Sequence, residues 1–278
     1  WTSLYESKSG ERGIFSSYNS KKQVERFQDR REPRDDYGTN PCSEIILRPR
    51  EFCNLSEVVV RAEDSKDDIK NKVRLATILG TWQSTLTNFR YLTKEWKENC
   101  EEERLLGVSL TGIMDNEFMA DHLDPILPEF LQECRSEAEV TNKFWATQLK
   151  INPSASITCV KPSGTVSQLC DSASGIHARH SDYYIRTVRS DMKDPLCTLM
   201  VDQGVPHEPD VTKPEHTMVF SFPIKAPDGS IKRDELSAIE QLELWLLYQE
   251  HWCEHKPSIT ISVKEDEWVE VGAWVYNN

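Results

Sequence analysis

Four side chains in one short stretch could do chemistry together. Asn40-Pro41-Cys42-Ser43-Glu44 sets a thiol two residues after an amide and two residues before a carboxylate. A second thiol, Cys53, follows eleven positions on, within Phe52-Cys53-Asn54-Leu55-Ser56-Glu57. On an extended backbone alternate residues share a side, so Asn40, Cys42 and Glu44 would face one small substrate. A cysteine taken alone is most often a small buried side chain. A carboxylate held beside a sulfur in a buried site is costly unless it has a task. A hydrogen-bonding amide, a thiol and a base therefore read as a catalytic set. Cys53 alone would pass for a core strand residue, but two thiols near one substrate could supply both radical and reducing chemistry.

A second candidate site lies far downstream. Val160-Lys161-Pro162-Ser163-Gly164-Thr165-Val166-Ser167 predicts a strand that runs through a tight turn into a helix. Free N–H groups at such a helix start, with the Ser163 and Thr165 hydroxyls, would cradle an anion. The bland alternative is an ordinary capped helix, and the pattern is not a P-loop. His177, Arg179 and His180 share one loop, and His251 and His255 flank a cysteine. Neither spacing predicts a metal site, because no third ligand is evident; solvated loop residues, or residues that support a site without touching its ligand, fit better.

The elements that must position these groups alternate between strand and helix. Glu44 to Leu47 and Cys53 to Val60 read as strands. Ser65-Lys66-Asp67-Asp68 reads as a capping box opening a helix, with Leu75, Ile78, Trp82, Leu86 and Phe89 on its apolar face. A short exposed helix is predicted over Lys94 to Glu103, a buried strand over Leu105 to Met114 and a helix over Pro128 to Lys150. Ser156 to Val160, Tyr183 to Val188, Thr217 to Phe222 and Ser258 to Val263 read as strands. Arg233 to His251 and Glu265 to Tyr276 read as helices. Residues 1 to 38 read as loop with one exposed helix in the charged run from Lys21 to Asp36. The alternation predicts α/β architecture in a single domain over residues 1–278, with no clean linker.

Bulk properties set limits. The chain has 278 residues, enough for one large domain or two small ones. Eight Trp, nine Phe and eight Tyr are too many for a disordered chain. A net charge of −13 argues against a general nucleic-acid surface. No apolar run is long enough to predict a membrane span. Eight scattered cysteines without a C-x-x-C pair predict reduced thiols in a cytoplasmic protein. A first residue of Trp1 rather than Met reads as processing, an excerpt or one piece of a split protein.

These motifs together resemble ribonucleotide reductases. Asn40-Pro41-Cys42-Ser43-Glu44 resembles their active-site finger loop, and Phe52 to Glu57 the segment with a second active-site cysteine. The short interval between them is similar to the monomeric, adenosylcobalamin-dependent class II enzymes. Lys161 to Ser167, Gly175-Ile176-His177, Tyr183 to Arg186 and Ile259 to Trp268 continue the pattern in the family's order. Ser43 departs from it, since the family more often has Gly there.

The resemblance implies a ten-stranded α/β barrel made of two half-barrels, of which this chain is the finger loop plus the second half. It implies Cys42 as the thiyl radical that takes the 3′ hydrogen of a ribonucleotide. It implies Glu44 as the base for the 3′ hydroxyl, Asn40 as the group holding the ribose, and Cys53 as a reducing thiol. Ser43 and the Pro162, Ser163, Gly164, Thr165 and Val166 turn would contact the substrate, with triphosphates favoured. The implied cofactor is adenosylcobalamin, with no metal bound directly by side chains. The implied partners are a complementary N-terminal segment or chain, carrying a further reducing cysteine, and a thioredoxin-type reductant. No membrane or nucleic-acid partner is implied. The alternatives are a class I large-subunit fragment, and a nucleotide-binding remnant without chemistry.

Overall fold

The computed structural model describes residues 1–10, 12–27 and 30–278. In chain order the helices and strands begin with α1 (Thr2–Ser7), α2 (Ser17–Glu25), β1 (Gly38–Thr39), β2 (Ile46–Leu47) and β3 (Leu55–Val59). There follow α3 (Lys66–Gln83), α4 (Lys94–Glu103), β4 (Gly107–Thr111), α5 (Glu117–Ala120), α6 (Leu127–Leu149), β5 (Thr158–Cys159) and α7 (Val166–Leu169). The last are β6 (Tyr183–Asp191), α8 (Pro195–Asp202), β7 (His207–Pro209), β8 (Thr217–Lys225), α9 (Ala238–His251) and α10 (Trp268–Asn277). Helices and strands alternate as an α/β chain should. Within the charged run 21–36, residues 28 and 29 lie outside the described residues; α2 covers its start.

Contacts divide the chain into two compact units, Trp1–Arg179 with Gly229–Asn278, and His180–Asp228. The sequence offered no linker at either border. The inserted unit is an antiparallel sheet in the order β6-β8-β7. It has its own small core of Cys197, Met218 and Phe220, with Met200 and Phe222 packed against it.

The larger unit carries the candidate site. Its parallel sheet runs β3-β4-β5, with Leu55 opposite Gly107 and Val108 opposite Thr158. Parallel neighbours need crossovers, and α3 and α6 lie within them. Val58, Leu106, Leu110, Ile113, Leu131, Tyr248 and Trp252 are buried together in one core. Each such side chain contributes about 1.5–3 kcal/mol of burial. The two polar tips in it are matched: Tyr248 Oη donates to the Met119 carbonyl at 2.8 Å, and Trp252 Nε1 to the Cys159 carbonyl at 2.8 Å.

Helix α3 starts where the sequence predicts, with Ser65 and Asp68 closing a reciprocal cap. Its apolar face is not the predicted one. Leu75, Trp82 and Leu86 are exposed, whereas Ile69, Val73, Ala76, Thr77, Gly80 and Thr81 are buried. The buried face is close to the sheet at Gly80, where a Cβ would come into van der Waals contact with Leu106 and Ser56 at 3.5 Å, leaving little room beyond it for a larger side chain. Thr77 and Thr81 are tolerated because each hydroxyl donates to the carbonyl one turn back, at 2.8 and 2.7 Å.

The predicted strand over Ser258 to Val263 is absent; no regular strand forms there. The residues just before it make the ladder-like contacts instead. Val160 bridges Pro257 in parallel, and the His255 N–H donates to the Thr158 carbonyl at 3.0 Å. The Lys256 N–H donates to the Glu44 carbonyl at 3.2 Å. This segment therefore ties the parallel sheet to the cysteine motif.

Candidate active site

The cysteine motif is a turn, not an extended strand. β1 and β2 pair antiparallel, with Thr39 opposite Ile46, and residues 40–45 close the hairpin between them. The Ser43 N–H donates to the Asn40 carbonyl at 2.9 Å, and the Ile45 N–H to Asn40 Oδ1 at 3.0 Å. Ser43 sits at φ 66°, in the left-handed region that a side chain disfavours. The alternation argument for a shared face thus fails, since a turn does not alternate its side chains. The turn brings the groups together by another route. Asn40 Nδ2 donates to Glu44 Oε1 at 2.8 Å.

Burial then separates the roles. Cys42 is exposed at the tip, whereas Glu44 has no accessible surface. Glu44 Oε2 is buried and has no hydrogen-bond partner among the described residues. Asn40 has used one donor and one acceptor lone pair inside the turn, which leaves it a second N–H and a second lone pair. Ser43 Oγ lies 3.2 Å from Thr39 Oγ1 and accepts from Lys256 Nζ at 3.3 Å.

Cys53 is half-buried, and burial pushes its thiol up, with the Glu44 carboxylate adding to the shift. Cys42 and Lys161 also act on it, so the two thiols share one electrostatic neighbourhood. Glu57 lies in the same neighbourhood. Burial raises its carboxyl, while a hydrogen bond from Ser163 and the charge of Lys161 pull it back. Glu57 carries no recognisable motif role in the sequence. Its place four residues after Cys53 on an extended segment was the available signal.

The downstream turn meets this group through Ser163. Ser163 is buried, and its Oγ donates to Glu57 Oε2 at 2.8 Å while accepting the Ser167 N–H at 3.1 Å. Its hydroxyl therefore anchors the turn to β3 instead of facing outwards. Pro162 is half-buried, and Gly164, Thr165 and Val166 form the open edge. A Cβ on Gly164 would meet nothing within 4 Å. Gly175 supports the turn from below: its φ is 59°, and a Cβ there would stand 2.4 Å from the Lys161 carbonyl oxygen. α7, however, is a single turn of four residues, shorter than the helix the sequence suggested.

The histidines serve the scaffold. His255 is fully buried, accepts the Ile46 N–H on Nδ1 at 3.2 Å and donates from Nε2 to the Leu106 carbonyl at 2.9 Å. Burial, helped by Arg31, pushes its pKa down to about 3, so it stays neutral. His177 bonds the Ser174 carbonyl and accepts the Thr260 N–H. Arg179 forms a buried pair with Asp115, with contacts of 2.8 Å from Nε and from Nη2. His180 lies in the other unit, its ring against Tyr184. Among the described residues no three His, Cys, Asp or Glu side chains converge as a metal ion would need. No helix among them is long and apolar enough to cross a membrane.

Behind the hairpin lies a charged cluster that the sequence did not reveal. Arg31 Nη1 donates to the Ile46 carbonyl at 2.9 Å, and Arg31 Nη2 lies 2.8 Å from Glu103 and 3.5 Å from Glu51. All three side chains are buried. The cluster fixes the β2 end of the cysteine turn.

No protein-family model matches the chain. Curated proteins do resemble it. The adenosylcobalamin-dependent ribonucleoside-triphosphate reductase of Lactobacillus gasseri is 31% identical over 258 residues, covering 83% of this chain and 34% of that protein. The enzyme of the same name from Lacticaseibacillus paracasei is 29% identical over 94% of this chain and 38% of its own length. That from Euglena gracilis is 28% identical over 81% of this chain and 30% of its own. The chain spans about a third of the length of these relatives. Among solved structures, a B12-dependent class II ribonucleotide reductase superposes with a TM-score of 0.72 at 24% identity, over 90% of this chain and 37% of that one. The alpha subunit of Actinobacillus ureae class Id ribonucleotide reductase gives 0.63 at 12% identity, over 97% and 56%. The resemblance first drawn from short motifs thus extends along most of the chain, in sequence and in fold.

Proposed function

We propose that this chain carries the radical thiol, the base and one reducing thiol of an adenosylcobalamin-dependent reductase that converts ribonucleotides, as triphosphates, to 2′-deoxyribonucleotides. One observation carries the reading: a fully buried carboxylate oxygen, Glu44 Oε2, has no donor among the described residues while its twin is held by Asn40, beside the exposed Cys42. An unmatched buried acceptor costs about 1–3 kcal/mol. A substrate hydroxyl that donates to it would remove that cost.

Each residue then has a task. Cys42 loses its hydrogen atom and, as a thiyl, takes the 3′ hydrogen of the ribose. Glu44 Oε2 accepts the 3′-hydroxyl proton. Asn40 fixes the carboxylate's orientation and offers its remaining N–H to the ribose. The 2′ hydroxyl leaves as water with a proton from the reducing thiols; Cys53 and a second thiol together supply two electrons and two protons and end as a disulfide, while Cys42 returns the hydrogen to C3′ and Glu44 returns the proton to the 3′ oxygen. The Gly164, Thr165 and Val166 edge receives the phosphates on backbone N–H groups, held in place by Pro162 and Ser163. Adenosylcobalamin, when bound, supplies the initial radical. The exposure of Cys42 fits a radical that arrives from outside the described residues. The 31% identity to a relative named as adenosylcobalamin-dependent supports this source over a class I partner subunit.

A radical needs a dry, enclosed site. We therefore infer that the missing wall and the second reducing thiol come from a complementary N-terminal segment or chain, and that the two reduced thiols are restored by a thioredoxin-type protein in the cytoplasm. The surrounding fold is read as part of a ten-stranded α/β barrel, with β3, β4 and β5 among its strands and the cysteine turn inside.

The test is turnover of ribonucleoside triphosphates by the intact protein with adenosylcobalamin and a dithiol. Cys42→Ser should abolish it, and Glu44→Gln should lower kcat by about 10²–10⁴. Parent-level turnover in Cys42→Ser, or turnover that needs no cobalamin, refutes the proposal.

A further inference from the structure

Ser43 is held in a conformation that costs a residue with a Cβ on the order of 1–3 kcal/mol. Its φ of 66° is the one a glycine would adopt freely. Something must compensate, because the residues on both sides of it, Cys42 and Glu44, are the ones the chemistry needs placed. Two groups touch its hydroxyl. Thr39 lies 3.2 Å away on the adjoining strand, and Lys256 Nζ donates at 3.3 Å from a segment over two hundred residues later in the chain.

Lys256 reaches the turn twice. Its N–H donates to the Glu44 carbonyl at 3.2 Å, in addition to its ammonium contact with Ser43. Its own backbone is anchored, since its carbonyl accepts the Val160 N–H at 3.3 Å and the next residue bridges Val160. The preceding residue, His255, is bonded to both β2 and the Leu106 carbonyl. The ammonium lies over the Phe15 ring, 5.3 Å from its centroid. Burial pushes the ammonium's pKa down, and the Glu44 carboxylate opposes this, which puts the cation within the field of the proposed base. A lysine drawn out of water in this way has to be repaid by the contacts it makes.

We propose that Lys256 is a positioning residue that locks the cysteine turn through Ser43, holding Cys42 and Glu44 in the geometry their chemistry requires. It touches neither the sulfur nor the reacting carboxylate oxygen in this arrangement and acts through its neighbour. Because it compensates a side chain in a glycine conformation, its contribution should largely vanish when that side chain is removed. That coupling sets it apart from a lysine that merely supports the fold. The proposal rests on the reading of Cys42 and Glu44 only for its catalytic consequence.

The experiment is a double-mutant cycle read by amide hydrogen exchange in the intact protein, without substrate or cofactor. The four proteins are the parent, Lys256→Met, Ser43→Gly and the double variant. Lys256→Met should speed exchange about tenfold in peptides spanning residues 40–46. Relative to Ser43→Gly alone, the double variant should show less than a threefold rise. Peptides from α6 should not change. Unaltered exchange in Lys256→Met, an equal rise in both backgrounds, or a rise that extends to α6 would each overturn the proposal. A protein that shows the coupling yet reduces no ribonucleotide refutes the function proposed above and leaves the clamp standing.

Discussion

Glu51→Gln should stabilise the protein, and more so as the pH rises. Glu51 is 4% exposed and shares Arg31 with Glu103. The closer guanidinium contact belongs to Glu103, at 2.8 Å against 3.5 Å for Glu51, and Arg48 approaches Glu51 only to 3.8 Å. Burial first, and the Glu103 charge second, push the Glu51 carboxyl from 4.5 up to about 9. The proton therefore stays on Glu51 in the folded chain at neutral pH.

The sign follows from that shift. Below about 4.5 both the folded and unfolded chains hold the proton, and Glu51 contributes its full stability. Between there and about 9 the unfolded chain has released the proton while the folded chain keeps it, so stability falls as pH rises. One proton of difference is worth at most about 1.4 kcal/mol per pH unit. From pH 6 to pH 8 the parent should therefore lose up to about 3 kcal/mol relative to Glu51→Gln. The amide keeps an acceptor for the Arg48 N–H, which bonds Glu51 Oε2 at 3.3 Å, so the substitution removes a charge without orphaning its neighbour. Urea unfolding followed by tryptophan fluorescence, at pH 6, 7 and 8, measures the difference. A stability gap that stays flat with pH, or that narrows as pH rises, refutes the protonated carboxyl and with it this account of the cluster.

Other outcomes follow from the same geometry. Iodoacetamide at pH 8 should alkylate exposed Cys42 at least about tenfold faster than Cys53, whose thiol is pushed up by burial and Glu44; peptide mapping with time reads both rates, and equal rates contradict the shared site. In the same assay Glu44→Gln should narrow the gap, by removing the charge that opposes the Cys53 thiolate. Gly175→Ala should destabilise the protein by at least about 2 kcal/mol and raise KM for nucleotide, because its Cβ would meet the Lys161 carbonyl 2.4 Å away at a φ of 59°; denaturant titration and initial rates test both, and a neutral variant would show that the downstream turn is not braced there.

The alternation of strand and helix was legible because it is a local property. The capping box at Ser65 and Asp68 and the span of α4 over Lys94–Glu103 need nothing beyond their own residues. The face of α3 was not legible. Large apolar side chains mark a core face only if the neighbour leaves room for them, and β3 and β4 leave room for Ala76, Thr77 and Gly80 instead. The strand expected over residues 258–263 failed for a related reason. Its β-branched run satisfies propensity, but the pairing is made by residues 255–258, where His255, Pro257 and Ser258 meet β5 and its continuation.

The cysteine motif separates composition from conformation. Alternation along a strand does not bring these residues together: Asn40 and Glu44 meet across a turn, and Cys42 is exposed. That difference has chemical weight. On a strand, three side chains facing one way would present amide, thiol and carboxylate to solvent alike. The turn instead buries the carboxylate completely and leaves the sulfur at the tip. The buried carboxylate thus keeps one oxygen without a hydrogen-bond partner among the described residues, while the thiol stays open to solvent. Of the residues that brace the turn, His255, Lys256 and Glu103 lie far along the chain, and Arg31 and Glu51, though near in sequence, follow no pattern that pairs them, so the Cys42 motif does not announce this support.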